Sequence, residues 1–221
     1  MRKTLLTFTL IFICACATTT TQVPEWKETA FRDIENYKKS FLTGKQNAAD
    51  VQFNRAREAI ASGNNLNLLA KLYLTKYALQ RAALEDFNDG EFLRINRLHP
   101  VSANLAYYNF LMGSVNAKDA NFLPDQYAGL IKPLRNKDAA KGLEELLAID
   151  DPLSRLIACG VWVKHAPYDD YILKLGVNTA AEQGWKKPLW AYLNALQKYY
   201  FQTGETAKAN EAKEWLELLK R

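Results

Sequence analysis

Histidine and cysteine are scarce in this chain, which has two histidines and three cysteines among its 221 residues. Protein metal sites draw on clustered histidine, cysteine or acidic ligands, and His99 and His165 lie far apart in the sequence. A glycine-rich phosphate loop, a Gly-x-Ser-x-Gly elbow and a His-Glu-x-x-His motif are also missing. The sequence therefore predicts no metal site, no cofactor and no catalytic residue.

Runs of basic residues are absent as well. Lysines, arginines and acids are interspersed, and the formal net charge is only +5. Nucleic-acid-binding surfaces carry clustered lysine and arginine, so nucleic acid is not the expected partner. Hydrophobic residues make up 48% of the chain, which is typical of a globular domain and not of a disordered one. No small-molecule substrate is evident.

The first residues lack an apolar run long enough to cross a membrane. Arg2 and Lys3 are followed by a short apolar segment that ends at Ile13, whereas a spanning helix needs about 20 apolar residues. A basic start followed by a short apolar core is the pattern of a secretory signal. We therefore expect residues 1–15 to be a signal peptide.

The signal ends in Ile13-Cys14-Ala15-Cys16. This tetrapeptide resembles the lipobox of bacterial lipoproteins, in which an aliphatic residue and two small residues precede the cysteine. The resemblance implies cleavage after Ala15, a diacylglyceryl thioether on Cys16 and a further acyl chain, of the palmitate type, on the new amino terminus. An ordinary cleaved signal and an uncleaved helix are the alternatives left open.

The lipidated cysteine and the residues after it predict an attachment and a location. Residues 17–24 are expected to form a flexible tether, because four consecutive threonines do not build a helix without packing partners. Thr18 stands where an aspartate would resemble an inner-membrane retention signal. The expected location is therefore the bacterial cell envelope, with the chain held by its lipid on the periplasmic face of the outer membrane.

Cys159 is the one cysteine that belongs to the folded part of the chain. It lies in an apolar stretch of helical character, so a buried, unreactive thiol is favoured over a reactive nucleophile. His165 follows near the expected end of that helix, where it can interact with the helix dipole. Asp169 and Asp170 are expected to cap the next helix.

Residues 25–221 show apolar residues at helical spacing almost without interruption. Asp151 followed by Pro152 is a clear helix start, since aspartate caps and proline suits the first helical position. No convincing strand pattern occurs. The prediction is an all-α fold of stacked antiparallel helical hairpins in a single domain, with two lobes near 25–112 and 125–221 as an alternative.

Two segments resemble tetratricopeptide repeats, in which small residues occupy the contact between paired helices and large residues fill the gaps. The matching positions are Gly44, Ala49, Phe53 and Ala56 near the start, and Leu196, Tyr200, Gly204, Glu205 and Ala209 near the end. Residues 64–184 carry no such match. The resemblance implies a repeat-like array, and an irregular helical array is the alternative.

Large aromatic residues crowd the last forty positions. Partner sites favour such residues because they bury much area with little loss of entropy. Trp185, Trp190, Tyr192 and Tyr199 are accordingly predicted to contact a partner, as an extended peptide or a partner helix in a groove. The alternative is that these rings fill gaps between helices.

These features favour a non-catalytic envelope lipoprotein. It would act as a protein-binding scaffold or accessory factor in an outer-membrane, secretion, pilus or motility assembly. The alternative is a peptidoglycan-acting enzyme or binder of the lytic-transglycosylase type. In that case Glu144, Glu145 or Glu182 would supply the acid, although the sequence around them does not resemble that family.

The anchor can be tested by metabolic labelling with a fatty-acid analogue. The wild type should carry the label, and Cys16→Ala should lose it because the acceptor thiol is gone. Cys14→Ala is the matched control and should keep the label. Label that survives in Cys16→Ala would contradict the assignment of the lipidated residue.

Overall fold

The computed structural model describes residues 23–219. The predictions for the signal peptide, for Cys16 and for most of the tether concern residues outside this range. The described part is helical and contains no strand, which confirms the predicted all-α fold. The helices are α1 (Glu25–Leu42), α2 (Gln46–Ser62), α3 (Leu66–Ala82), α4 (Gly90–Leu98), α5 (Ser102–Leu111), α6 (Asp125–Ala128), α7 (Ile131–Asn136), α8 (Ala139–Leu147), α9 (Pro152–His165), α10 (Asp170–Glu182), α11 (Lys186–Gln202) and α12 (Thr206–Leu219). A short 3₁₀ helix, Asp119–Asn121, precedes α6.

Consecutive helices pack as hairpins, as predicted. Helix α1 packs on α2, and α9, α10 and α11 each pack on the helix that follows along the chain. Three of the connecting turns contain a glycine with positive φ, at Gly44 (+80°), Gly184 (+66°) and Gly204 (+79°). Glycine adopts this left-handed conformation without a Cβ penalty, so the chain reverses within a few residues.

Helix α3 lies at the centre of the array and contacts α2, α4, α5 and α9. It is buried on two sides, as its wide apolar face predicts, with Leu72, Tyr73 and Leu79 all inside. At the crossing with α9, a side chain on Gly160 would collide with the backbone carbonyl oxygen of Arg81. Glycine is therefore what lets the two helix backbones touch.

A buried cation secures the same crossing. Arg81 is only 5% exposed. Its guanidinium donates to the Leu111 carbonyl oxygen at the end of α5 (3.0 Å) and to the Asp86 carboxylate (3.3 Å). Lys164 of α9 donates to the same carboxylate oxygen of Asp86 at 2.9 Å. This cluster therefore joins the end of α3 and the residues just after it to the end of α5 and to α9.

The helix starts agree with the local sequence signals. Asp151 accepts a hydrogen bond from the Ser154 backbone N–H at 2.7 Å, and Pro152 is the first residue of α9. Asp169 caps α10 by accepting from two backbone N–H groups. Asp170 does not cap; it is the first helical residue and bonds to side chains of α10 and α11 instead.

The spacing of apolar residues in their helices predicts that Phe31, Leu105 and Leu147 face inward, but all three lie at the surface. Phe31 is 48% exposed, Leu105 is 40% exposed and Leu147 is 56% exposed. Each sits at the edge of its apolar stripe, where a small rotation of the helix decides whether a side chain faces in or out. The Lys27 ammonium lies over the Phe31 ring at 6.0 Å, where a cation can shield part of it from water.

None of the helices in residues 23–219 combines the length and the apolar character that crossing a membrane requires.

The crossing of α3 and α9 can be tested with Gly160→Ala. The added methyl group meets backbone and not a flexible side chain, so we expect a loss of about 1–3 kcal/mol in the free energy of unfolding. Urea unfolding followed by circular dichroism measures it. Gly90→Ala, at the exposed start of α4, is the control and should change stability little. Equal stability of the two variants would contradict the close approach.

Candidate functional site

Helices α10, α11 and α12 enclose a groove of about 330 Å³ in the C-terminal part of the chain. Leu193, Leu196 and Tyr200 line it from α11, and Trp215 of α12 stands at its rim, 49% exposed. The remaining lining residues are Lys174, Val177, Asn178, Lys208, Glu211 and Ala212. An apolar floor beside a half-exposed tryptophan is the arrangement expected of a site for a partner side chain.

The spacing of residues on α11 explains the floor. Leu189, Leu193, Leu196 and Tyr200 follow one another every three or four positions, so they share one face of the helix. The last three are buried and Leu189 packs against the same core. The spacing alone predicts an inward-facing stripe, and the burial of these side chains confirms it.

Tyr192 is a core residue, which corrects its assignment to a partner surface. Its ring is fully buried against Gly176 of α10, where a side chain on the glycine would collide with it. Its hydroxyl donates to the Leu156 carbonyl oxygen of α9 at 3.3 Å. The large ring therefore fills a gap between helices, the alternative that the sequence left open for it.

The other three predicted aromatic residues are at least partly accessible. Trp190 is 37% exposed, while Trp185 and Tyr199 are half-buried and pack against the core. The Tyr199 ring lies 6.1 Å from that of Tyr168. Trp185, Trp190 and Tyr199 do not line the groove of α10, α11 and α12. With Tyr192 buried, the four predicted residues therefore do not form one partner-binding surface.

A charged cluster fixes Tyr200 at the floor of the groove. The Asp170 carboxylate accepts from the Tyr200 hydroxyl at 2.8 Å and from the Lys174 ammonium at 2.7 Å. The hydrogen bond from Lys174 holds the pKa of Asp170 below its ordinary value. The Lys174 and Lys208 ammonium groups lie 5.9 and 5.1 Å from the centre of the Tyr200 ring. The ring therefore has a fixed position and two flanking cations.

Trp215 is the site residue that the sequence prediction missed. Helix α12 turns Ala209, Ala212 and Leu216 inward, and they are buried. Alanine at two of these three positions brings α12 close to α11, so the large ring just before Leu216 has no room inside. Small residues on the inward stripe were the available signal. Phe201 of α11 and Tyr171 of α10 are also strongly exposed, at 77% and 64%.

A second concavity, of about 760 Å³, lies between α3, α5, α6 and α9. Several of its polar groups already have partners within the chain. Asn104 donates to the Asn67 side-chain oxygen at 2.9 Å, and Gln126 donates to the Ser154 hydroxyl at 3.3 Å. With these groups satisfied, the surface offers mainly apolar contact.

The thiol and imidazole near the centre of the fold are not arranged as a reactive pair. Cys159 is fully buried, and burial raises the pKa of its thiol to about 12. His165 lies against Gly113, and burial together with the nearby Arg81 guanidinium lowers the pKa of the imidazole. Among residues 23–219, no three histidine, cysteine or acidic side chains come together as a metal site would need.

The three glutamates considered as catalytic acids lie on the outside of the array. Glu144 is exposed and pairs with Lys141 at 2.6 Å, and Glu182 is exposed near the end of α10. Glu145 lines a cavity of about 270 Å³, with Lys132 and Lys141 beside it. All three carboxylates are thus exposed or lie beside a lysine.

Comparison of the chain with protein-family models, curated protein sequences and solved structures finds no match.

The burial of Cys159 predicts that its thiol resists alkylation. At pH 8 iodoacetamide should leave Cys159 unmodified in the folded chain, because the thiolate is the reactive form and burial disfavours it. Mass spectrometry of the peptide containing Cys159 gives the modified fraction. The same reagent in concentrated urea should label it fully. Rapid labelling of the folded chain would show an accessible thiol.

Proposed function

We propose that this chain is a lipid-anchored lipoprotein of the bacterial cell envelope, and that its helical domain is a non-catalytic scaffold that binds a partner protein. The observation that carries the proposal is the groove of α10, α11 and α12, with Trp215 half-exposed above an apolar floor. The lipobox resemblance at Cys16 supplies the address. The expected partner belongs to an envelope assembly.

The groove suits a protein segment that inserts one large apolar side chain. Its volume of about 330 Å³ lies at the lower end of the range typical of binding pockets. Tryptophan and tyrosine dominate the few contacts that carry most of the energy of protein interfaces. Trp215 and Tyr200 would therefore hold an apolar residue of a partner helix between them.

The tether bears on how such a scaffold would act. Residues 17–24 span at most about 28 Å when fully extended, at roughly 3.5 Å per residue. Helix α1 starts at Glu25, so a lipid on Cys16 would keep the domain close to the membrane surface. Confinement raises the effective concentration of a scaffold toward partners in the same membrane.

Site-specific photo-crosslinking tests the proposed surface. A photoreactive phenylalanine analogue replaces Trp215 in one variant and Phe31 in a second, and both are expressed in the native envelope. These two positions are similarly exposed, at 49% and 48%, but only Trp215 lines the groove. We expect a discrete adduct with one protein from position 215 and not from position 31.

A substitution in the same groove then gives the size of the effect. Trp215→Ala should weaken binding of the crosslinked partner by about 30-fold, which corresponds to about 2 kcal/mol for a residue at the centre of an interface. Phe31→Ala should leave it unchanged. Identical adducts from positions 215 and 31 would contradict the proposal that the groove is the partner-binding surface. If the purified chain digests peptidoglycan sacculi and Glu145→Gln abolishes the digestion, the chain is a peptidoglycan-acting enzyme and the scaffold proposal is wrong.

A further inference from the structure

A third cavity, of about 620 Å³, lies where the N-terminal hairpin meets α3 and the start of α11. It is separate from the groove of α10, α11 and α12, and nothing in the proposed scaffold role uses it. About half of its surface is polar. It is lined by Tyr37, Phe41, Gln46, Asp50, Phe53, Asn54, Lys76, Gln80, Glu85 and Lys187.

Aromatic rings form one wall of this cavity. The Tyr37 ring packs edge-to-face with Phe41 and Phe53, at centroid distances of 6.0 and 5.3 Å, and Phe53 packs on Tyr73 at 5.5 Å. All four are buried. Edge-to-face pairs hold each ring in a defined orientation, so this wall is preformed.

One of the two lysines in the cavity is already fully partnered. The Lys187 ammonium lies 3.8 Å from the centre of the Phe41 ring, and it contacts Glu85 and the Gln46 side-chain oxygen at 3.0 Å each. Lys187 and Glu85 therefore neutralise each other. The other lysine and the other acidic residue of the cavity take no part in this pair.

Lys76 and Asp50 are the charges left over. The Lys76 ammonium lies 4.9 Å from the centre of the Phe53 ring and has no carboxylate partner among residues 23–219. Asp50 accepts a hydrogen bond from the Gln46 side-chain amide at 2.9 Å and has no cation partner in the same range. The cavity thus offers one unpaired positive and one unpaired negative group beside an aromatic wall.

Two further polar residues, Gln80 and Tyr37, line this cavity. The side-chain oxygen of Gln80 is buried and accepts no hydrogen bond within the described residues. Burial raises the pKa of Tyr37, and the negative charges of Asp50 and Glu85 raise it further. The Tyr37 hydroxyl therefore remains protonated.

We propose that this cavity binds a short peptide with both termini free. Its ammonium group lies at Asp50, its carboxylate lies at Lys76, and its side chains rest on the rings of Tyr37 and Phe53. The volume lies within the range of about 300–1,000 Å³ that is typical of small-ligand sites.

Other polar ligand classes match this pattern less well. A phosphate or another simple anion would pair with Lys76 and would be repelled by Asp50. A polyamine or a metal cation would pair with Asp50 and would be repelled by Lys76. An uncharged sugar would leave both charged groups without a partner. A molecule with opposite charges at its two ends matches both at once.

Calorimetric titration of the full-length chain in detergent micelles tests the proposal. The probes are di-, tri- and tetra-alanine, because the length series finds the span between the two charges. Each is used uncapped, N-acetylated and C-amidated. We expect one length to bind best, and capping either end of that peptide should weaken binding at least ten-fold. This comparison uses the wild type alone, so it does not depend on any variant folding.

Two substitutions then assign the ends of the peptide. Lys76→Met should lose the discrimination against the C-amidated peptide and keep the discrimination against the N-acetylated one. Asp50→Asn should do the opposite. Matched controls are Lys71→Met on α3 and Glu58→Gln on α2, which lie outside this cavity, and both should behave as the wild type.

Absence of binding by every uncapped peptide would overturn the proposal. So would equal affinity for capped and uncapped forms, or control variants that change discrimination as much as the two site variants do. None of these outcomes bears on the partner groove, because no residue of that groove is altered and the scaffold role is tested by crosslinking.

Discussion

The backbone contact between α3 and α9 is the constraint on which the rest of the array depends. Gly160 presents no side chain at the crossing, so α9 rests directly on the backbone of α3 at Arg81. The first hairpin is connected to α3 along the chain, and the last three helices continue from α9. One contact between two helices therefore decides how the two ends of the protein face each other, and so decides where the cavity at Lys187 can form.

Arg81 makes this crossing specific as well as close. A buried guanidinium is costly unless every donor finds a partner, and here the partners are supplied by α5 and by the segment after α3. Lys164 of α9 adds a second cation on Asp86, and its hydrogen bond lowers the pKa of that carboxyl group. A different packing of α3 and α5 would take the Leu111 carbonyl oxygen away from the buried Arg81 guanidinium. The cluster thus excludes alternative arrangements of helices that hydrophobic burial alone would tolerate.

Features that depend on neighbouring residues could be predicted from the sequence, and features that depend on distant ones could not. The Asp151 cap, the glycine turns and the stripe through Leu193 and Leu196 are local, so spacing and residue type are enough to find them. The prediction that Tyr192 contacts a partner was wrong because its ring packs against Gly176, which belongs to another helix. The pairing of Lys187 with Glu85 joins positions about a hundred residues apart, and no local pattern marks it. The signal segment and Cys16 remain a prediction from the sequence.

The bridge made by Lys187 also has a consequence for the order in which the protein is completed. Gln46 and Lys187 are 141 positions apart. At a synthesis rate of about 5–20 residues per second, roughly 7–30 s pass between the synthesis of Gln46 and that of Lys187. During that interval the Phe41 ring has no cation above it, and the aromatic wall faces solvent. The arrival of α11 then places the Lys187 ammonium over the Phe41 ring and covers part of this apolar surface.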